Sequence, residues 1–334
     1  MKAVWMTERG EDLLRTIYTQ ETMTAVADKL EFVGLITGTE QLEPMKQSLK
    51  DVEYIFSTWG MLPLTSAQIQ EYFPALKAVF YGAGSVQQFA RPFLEEGVRV
   101  FSAASANAVP VAEYTVAQIL LALKGFYQAA RLYKEGKRAE GAAYSKSMTG
   151  IYDAVVGIIG AGMIGRMVIQ KLKDYQVRVL CFDPFLPEET ARELGVTKVP
   201  LETLFEESDV ISNHLANNPQ TVGMLNGDLF RRMKKKAALI NTGRGAQVVE
   251  EDLVQALTEE PERTAILDVT WPEPVVEGHP FYELPNVVLT PHIAGSLGQE
   301  VARMGEYQVQ EFLRYIEGRP LSMEVTADML ETMA

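Results

Sequence analysis

Three side chains suited to acid–base chemistry or anion binding stand just beyond apolar runs in the second half of the chain. Arg244 follows the run ALIN, in Asn241-Thr242-Gly243-Arg244-Gly245. Glu273 comes shortly after ILDV, between Pro272 and Pro274, and His292 follows VVLT after Pro291. A guanidinium is a planar fork that bonds both oxygens of a carboxylate. An imidazole titrates near neutrality, so it can pass a proton in either direction. A carboxylate bonded to it would fix its tautomer and stabilise the imidazolium. Each residue also has a plainer reading. Arg244 could pair with Glu250 or Glu251, His292 could be structurally bonded, and Glu273 could be a solvated loop acid. Asp268 ends its own apolar run and could bond a carboxamide or cap its turn. His214 reads as a cofactor-lining side chain rather than a catalytic one, and His279, in a Gly-His-Pro loop, as structural.

The elements that must position these groups centre on Val155 to Pro184. The run Val155–Ile159 reads as a buried parallel strand. Gly160-Ala161-Gly162-Met163-Ile164-Gly165 follows at once, then a helical pattern and a second strand, Val177–Phe182, ending in Asp183. Gly160 permits a tight turn, Gly162 lets a pyrophosphate approach the backbone, and Gly165 lets helix and strand pack closely. Met163 and Ile164 open the helix, whose free N–H groups and positive dipole end suit phosphate. Asp183 lies 18 residues beyond Gly165, close to the roughly 20 expected of an acid that binds ribose hydroxyls. A 2′-phosphate would meet its charge, so NAD(H) is preferred over NADP(H).

The first hundred residues alternate strands (Lys2–Met6, Phe32–Ile36, Tyr54–Ser57, Leu76–Phe80, Val98–Phe101) with helical stretches, the rhythm of a parallel sheet covered on both faces. A helical pattern from Pro110 to Lys134 reads as a connector, and Gly136 to Gly150 as a loop. Strands at Val210–Leu215, Ala237–Asn241, Thr264–Asp268 and Val287–Thr290 complete the second half. The helical stretch Glu300–Ile316 comes after that sheet and suggests a return to the first half. The spacing predicts an α/β chain of two doubly wound parallel-sheet domains. One comprises residues 1–106 plus 297–334; the nucleotide-binding one, residues 107–296, is inserted in it.

Bulk properties narrow the functional classes. The chain has 334 residues, 47% hydrophobic and 22% charged, as in a globular protein of two domains. No eighteen-residue apolar run and no apolar leader is visible, so neither a membrane span nor a secretory signal is expected. The single cysteine, Cys181, allows no internal disulfide and no cysteine-based metal site, and a cytoplasmic location is expected. A formal net charge of −13 argues against nucleic acid as a partner, while a small carboxylate substrate needs only local positive charge.

Taken together, GAGMIG, Asp183, NTGRG, LDVTWPEP and TPHIAG resemble, in order and spacing, the D-isomer-specific 2-hydroxyacid dehydrogenase family from about Asn107 to Gly295. The resemblance implies two Rossmann-like domains with a cleft between them, commonly in a homodimer. It assigns Arg244 to substrate binding and carbonyl polarisation, His292 to proton transfer and Glu273 to holding the imidazole. It places Thr242, Asp268 and Gly295 with His214 among the cofactor-binding residues, and no metal. The implied reaction is hydride exchange between NAD(H) and a small D-2-hydroxy or 2-oxo acid. In the first domain, Phe80-Tyr81-Gly82-Ala83-Gly84-Ser85-Val86 departs from the family pattern by having Val86 where an Asp is usual. Only the backbone N–H groups near Gly84 and Ser85 are carried over, as a carboxylate cradle. Two other functions stay open from sequence: a family enzyme acting on a non-carbonyl substrate such as formate or phosphite, and a dinucleotide-sensing regulatory protein without turnover.

Overall fold

In a computed structural model, which describes residues 1–331, the chain divides into two compact units. One is Met1–Ala108 with the chain from Ser296 onward; the other is Val109–Gly295. Residues 332–334, part of the expected first domain, lie outside the described residues.

In the first unit, strands β1 (Lys2–Met6), β2 (Glu31–Ile36), β3 (Val52–Ser57), β4 (Ala78–Tyr81) and β5 (Arg99–Ser102) pair in parallel in the order β5-β4-β3-β1-β2. Glu324–Val325 adds a short antiparallel edge beside β5. Side chains alternate across the sheet, so each strand feeds both faces. Val4, Ile55, Val79 and Val100 pack on one. Ala3, Tyr54, Phe56, Phe80 and Phe101 pack on the other, where the helix Glu300–Ile316 supplies Met304, Val309 and Phe312. Phe80 stacks on Phe101 at 4.9 Å and meets Phe312 edge-on at 5.4 Å. Each buried ring contributes roughly 1.5–3 kcal/mol over leaving it exposed. That gain holds the helix to this sheet although almost two hundred residues intervene.

The second unit is a seven-stranded parallel sheet: β6 (Ala154–Ile159), β7 (Val177–Phe182), β8 (Thr197–Lys198), β9 (Val210–Asn213), β10 (Ala238–Asn241), β11 (Thr264–Leu267) and β12 (Val287–Leu289). The order is β12-β11-β10-β9-β6-β7-β8. β6, β9, β10 and β11 are buried along their whole length, as their apolar runs require. Strand order reverses at β6, which leaves a switch point between β6 and β9, where ligands bind in open α/β sheets.

Three expectations about local structure change. The connector is two helices, Ala104–Leu123 and Phe126–Lys134, separated by Gly125 at φ 66°. Pro110 is inside the first of these helices instead of opening it. The lost bond is offset by burial of Ala106, Ala108, Val111 and Ala112 around it. The stretch read as a loop contains the helix Arg138–Lys146. Its Gly141 lies so close to Phe126–Lys134 that an added Cβ would stand 3.1 Å from the Ala129 carbonyl oxygen. Ala104–Leu123 is long and apolar enough by composition to cross a bilayer, but 56% of its most apolar window is buried within the fold.

Candidate active site

In the second unit the candidate residues gather on the loops that follow the strands' carboxyl ends. Gly160 turns the chain after β6 at φ 90°. Gly165 lies over that turn, and a Cβ there would fall 2.0 Å from the Gly160 carbonyl oxygen, so only glycine lets helix Met163–Leu172 start so close to the strand. Around Gly162 the space is open: a Cβ would meet nothing within 4 Å. Met163, the first helical residue, is exposed, Ile164 half-buried. Asp183 follows β7 directly, beside this loop. One of its oxygens accepts from the Ala161 N–H at 2.8 Å and the other from the Phe185 N–H at 2.8 Å.

His214 follows β9 and abuts the same turn, since a Cβ on Gly160 would reach its carbonyl oxygen at 2.9 Å. Its Nε2 lies 2.9 Å from Ser212 Oγ, while its buried Nδ1 has no partner. Burial pushes its pKa down to about 4, so the ring is neutral at physiological pH. An orphaned ring nitrogen, open space over Gly162 and the free N–H groups of a helix N-terminus together fit a bound dinucleotide.

Arg244 is half-buried. Burial lowers the guanidinium pKa, and the charge of Glu273 opposes that shift. One guanidinium nitrogen donates to the Gly243 carbonyl at 2.7 Å. The alternative partner, Glu250, faces elsewhere: it accepts from the Trp271 N–H and pairs with His279. Gly245 explains how the loops after β10 and β11 meet, because a Cβ there would lie 2.0 Å from the Thr270 carbonyl carbon. Gly245→Ala is therefore expected to push these loops apart and to cost about 1–3 kcal/mol, read as a fall in Tm. An unchanged Tm would contradict the packing described.

His292 sits at φ 54°, unusual for a residue with a side chain. Its N–H donates to the carbonyls of Asp268 and Thr290, both at 3.0 Å. Its Nδ1 lies 2.6 Å from Glu273 Oε1, and both side chains are partly exposed. Asp268 is buried and caps this turn. It accepts from Thr290 Oγ1 at 2.5 Å, and from the Ile293 and Ala294 N–H groups at 2.9 Å each. Of its two readings from sequence, the turn cap is the one the geometry displays. Tyr114 extends the chain of bonds, its hydroxyl 3.1 Å from Thr290 Oγ1. Thr242 is buried, its hydroxyl 3.2 Å from that of Thr115. Gly295 ends the unit.

Sequence reading passed over a buried amide network that sets the backbone of Arg244. Asn213, Asn241 and Gln247 are each at most 1% exposed. Asn213 Nδ2 donates to Asn241 Oδ1 at 3.0 Å and to Gln247 Oε1 at 2.5 Å. Gln247 Nε2 donates to the carbonyls of Leu215 and Ala216 at 2.9 Å, and Asn241 Nδ2 to that of Arg244 at 3.1 Å. The network ties the loop bearing His214 to the loop bearing Arg244. One signal was available: Asn213 and Asn241 each end a fully buried strand, where a buried amide needs partners.

Gly84 and Ser85 belong to the first unit, after β4. Ser102 Oγ donates to the Gly84 carbonyl at 2.5 Å, Ser85 is exposed, and among the described residues neither N–H donates to the backbone.

Residues 116–294 match the family model described as D-isomer specific 2-hydroxyacid dehydrogenase, NAD binding domain. The chain belongs to this family. Its cofactor is thus a nicotinamide dinucleotide. A glyoxylate reductase from Korarchaeum cryptofilum is 33% identical over 255 residues, 75% of this chain and 76% of that protein. A D-3-phosphoglycerate dehydrogenase from Archaeoglobus fulgidus is 32% identical over 237 residues, 71% of this chain and 44% of that protein. The matched region is less than half the length of that dehydrogenase. The crystal structure of a phosphoglycerate oxidoreductase from Rhizobium etli superposes with a TM-score of 0.80 at 25% identity, covering 98% of each chain. The relatives named are oxidoreductases, and the Rhizobium etli structure shares the fold of this chain.

Proposed function

We propose that this chain is an NAD-dependent enzyme that interconverts a small D-2-hydroxy acid and its 2-oxo acid. The observation that carries the reading is the 2.6 Å pair of His292 Nδ1 and Glu273, with Arg244 close enough for the same carboxylate to favour its charged form. Arg244 binds the substrate carboxylate and polarises the neighbouring carbonyl. Glu273 holds the proton of His292 on Nδ1 in the neutral ring, which leaves Nε2 as the working nitrogen. In reduction the imidazolium form of His292 gives its Nε2 proton to the carbonyl oxygen and becomes the neutral ring; in oxidation the neutral ring takes the hydroxyl proton on Nε2. The dinucleotide supplies or accepts the hydride. His214, half-buried and neutral, takes no part in proton transfer.

Asp183 supports NAD(H) over NADP(H). Its carboxylate is fixed by two N–H bonds at the end of β7, where a 2′-phosphate would be repelled. Asp183→Asn is expected to lower the NADH-to-NADPH ratio of kcat/KM by about tenfold, the worth of roughly 1.4 kcal/mol. A ratio equal to the parent's would remove Asp183 from cofactor selection.

The function itself is tested by following NADH oxidation against glyoxylate, hydroxypyruvate, pyruvate and longer or aromatic 2-oxo acids. Saturable turnover of at least one is expected. Tight NADH binding with no turnover across the panel would overturn the reading.

A further inference from the structure

The segment that delivers Glu273 is mostly exposed and held by few bonds of its own, among them Thr270 Oγ1 to the Pro272 carbonyl at 3.0 Å and the Tyr282 hydroxyl to the Val275 carbonyl at 3.3 Å. Trp271 is 66% exposed and Val276 50%, and every residue from Trp271 to Gly278 except Val275 is exposed. Its two ends nonetheless converge on one buried acid. Glu250, the first residue of the helix Glu250–Glu259, is 8% exposed. Its Oε1 accepts from the Trp271 N–H at 2.8 Å, two residues before Glu273. Its Oε2 lies 3.4 Å from His279 Nε2. His279 Nδ1 in turn accepts from the Phe281 N–H at 3.2 Å. That bond occupies the Nδ1 lone pair, so the proton of the neutral ring is on Nε2, the nitrogen on the Glu250 side. Phe281 is buried in the core of the unit. The acid therefore ties the start of the loop to its core-anchored end.

We propose that Glu250, with His279 as its strut, is a positioning residue for the proton-transfer pair: it fixes the loop that aims Glu273 at His292. The proposal rests on the reading of Glu273 and His292 given above. Glu250 touches neither of them and acts only through the Trp271 N–H. The charged groups that face the pair are Arg244, which feels Glu273, and Asp268, whose oxygens are taken up by the turn bearing His292. Burial raises the Glu250 pKa, while the Trp271 N–H and His279 favour its ionised form. This side chain is thus kept buried at a cost, which the Trp271 N–H bond and the nearby His279 offset.

The test uses the full chain and two readouts. The first is ¹⁵N NMR of the imidazoles at alkaline pH, tractable because the chain has three histidines. His292 is expected as the Nδ1–H tautomer in the parent, and shifted toward Nε2–H in Glu250→Ala. The second is steady-state kinetics. Glu250→Ala is expected to lower kcat by about 10- to 100-fold, the scale of a small misplacement of a catalytic group, with KM for NADH unchanged. Added to Glu273→Ala, it is expected to lower kcat no further. A folded Glu250→Ala protein with the parent tautomer and parent kcat would overturn the proposal, as would full additivity with Glu273→Ala. If Glu250→Ala does not fold, His279→Ala decides: a smaller shift in the same direction sustains the proposal, and no shift overturns it. The tautomer readout needs no substrate, so it stands or falls separately from turnover.

Discussion

Alanine in place of His292 is expected to lower kcat for 2-oxo acid reduction by about 10²–10⁴, the usual worth of a positioned general acid, while NADH affinity stays within a factor of a few. The residue is held for this task from three sides. Its backbone is in the left-handed region, its N–H is shared between the Asp268 and Thr290 carbonyls, and its ring is bonded to Glu273. Such a conformation costs of order 1–3 kcal/mol in a residue with a side chain, and the surrounding bonds over-determine it. Truncation leaves the backbone bonds intact, so the turn capped by Asp268 should persist. Stability should therefore change little, and the glycine loop that receives the dinucleotide is untouched. Steady-state kinetics and a fluorescence titration with NADH separate the two quantities. Parent turnover in the variant would exclude His292 as the proton donor. A matching loss of NADH affinity would show that the residue serves cofactor binding instead.

The second large effect concerns Arg244. Its side chain spends one donor on the Gly243 carbonyl and, as a five-donor fork, keeps others for a ligand. It is partly desolvated without a directly bonded acid, which suits a site that receives an anion. Two charge-assisted bonds to a substrate carboxylate, each worth about 1.5–3 kcal/mol, correspond to a loss of roughly 10²–10⁴ in kcat/KM on Arg244→Ala. Arg244→Lys should recover only part of it, because an ammonium cannot reproduce the planar fork. Inhibition by an unreactive carboxylate such as oxamate should weaken in parallel. Equal kcat/KM in parent and alanine variant would place the substrate carboxylate elsewhere.

The sheet of the second unit was largely legible in the sequence because buried parallel strands are short apolar runs. β6, β10, β11 and β12 each announce themselves that way, and β7 and β9 do so although Arg178 and Ser212 interrupt them. The glycine loop and Asp183 were legible because their spacing is set by one βαβ unit. Arg244, Glu273 and His292 were visible as strand-end residues, and family resemblance then raised them above ordinary loop residues. What escaped depends on tertiary packing. The helix Arg138–Lys146 has no broad apolar stripe and relies on close contact with its neighbour at Gly141. Pro110 reads as a helix start, yet a helix runs through it where Ala106, Ala108, Val111 and Ala112 are buried. The Asn213–Asn241–Gln247 network joins residues up to 34 positions apart, and polar side chains carry no periodicity to reveal such pairing. For the same reason Glu250 looked like a candidate partner for Arg244 and is instead the anchor of the Glu273 loop.

The handedness of the product probes the assembled site most directly. A prochiral 2-oxo acid is reduced with NADH to completion, and the 2-hydroxy acid is resolved by chiral chromatography. With Arg244 fixing the carboxylate and His292 protonating the carbonyl oxygen, a single enantiomer of D configuration is expected. Formation of the L acid, or of a racemate, would contradict the arrangement of guanidinium, imidazole and carboxylate on which the proposed function stands.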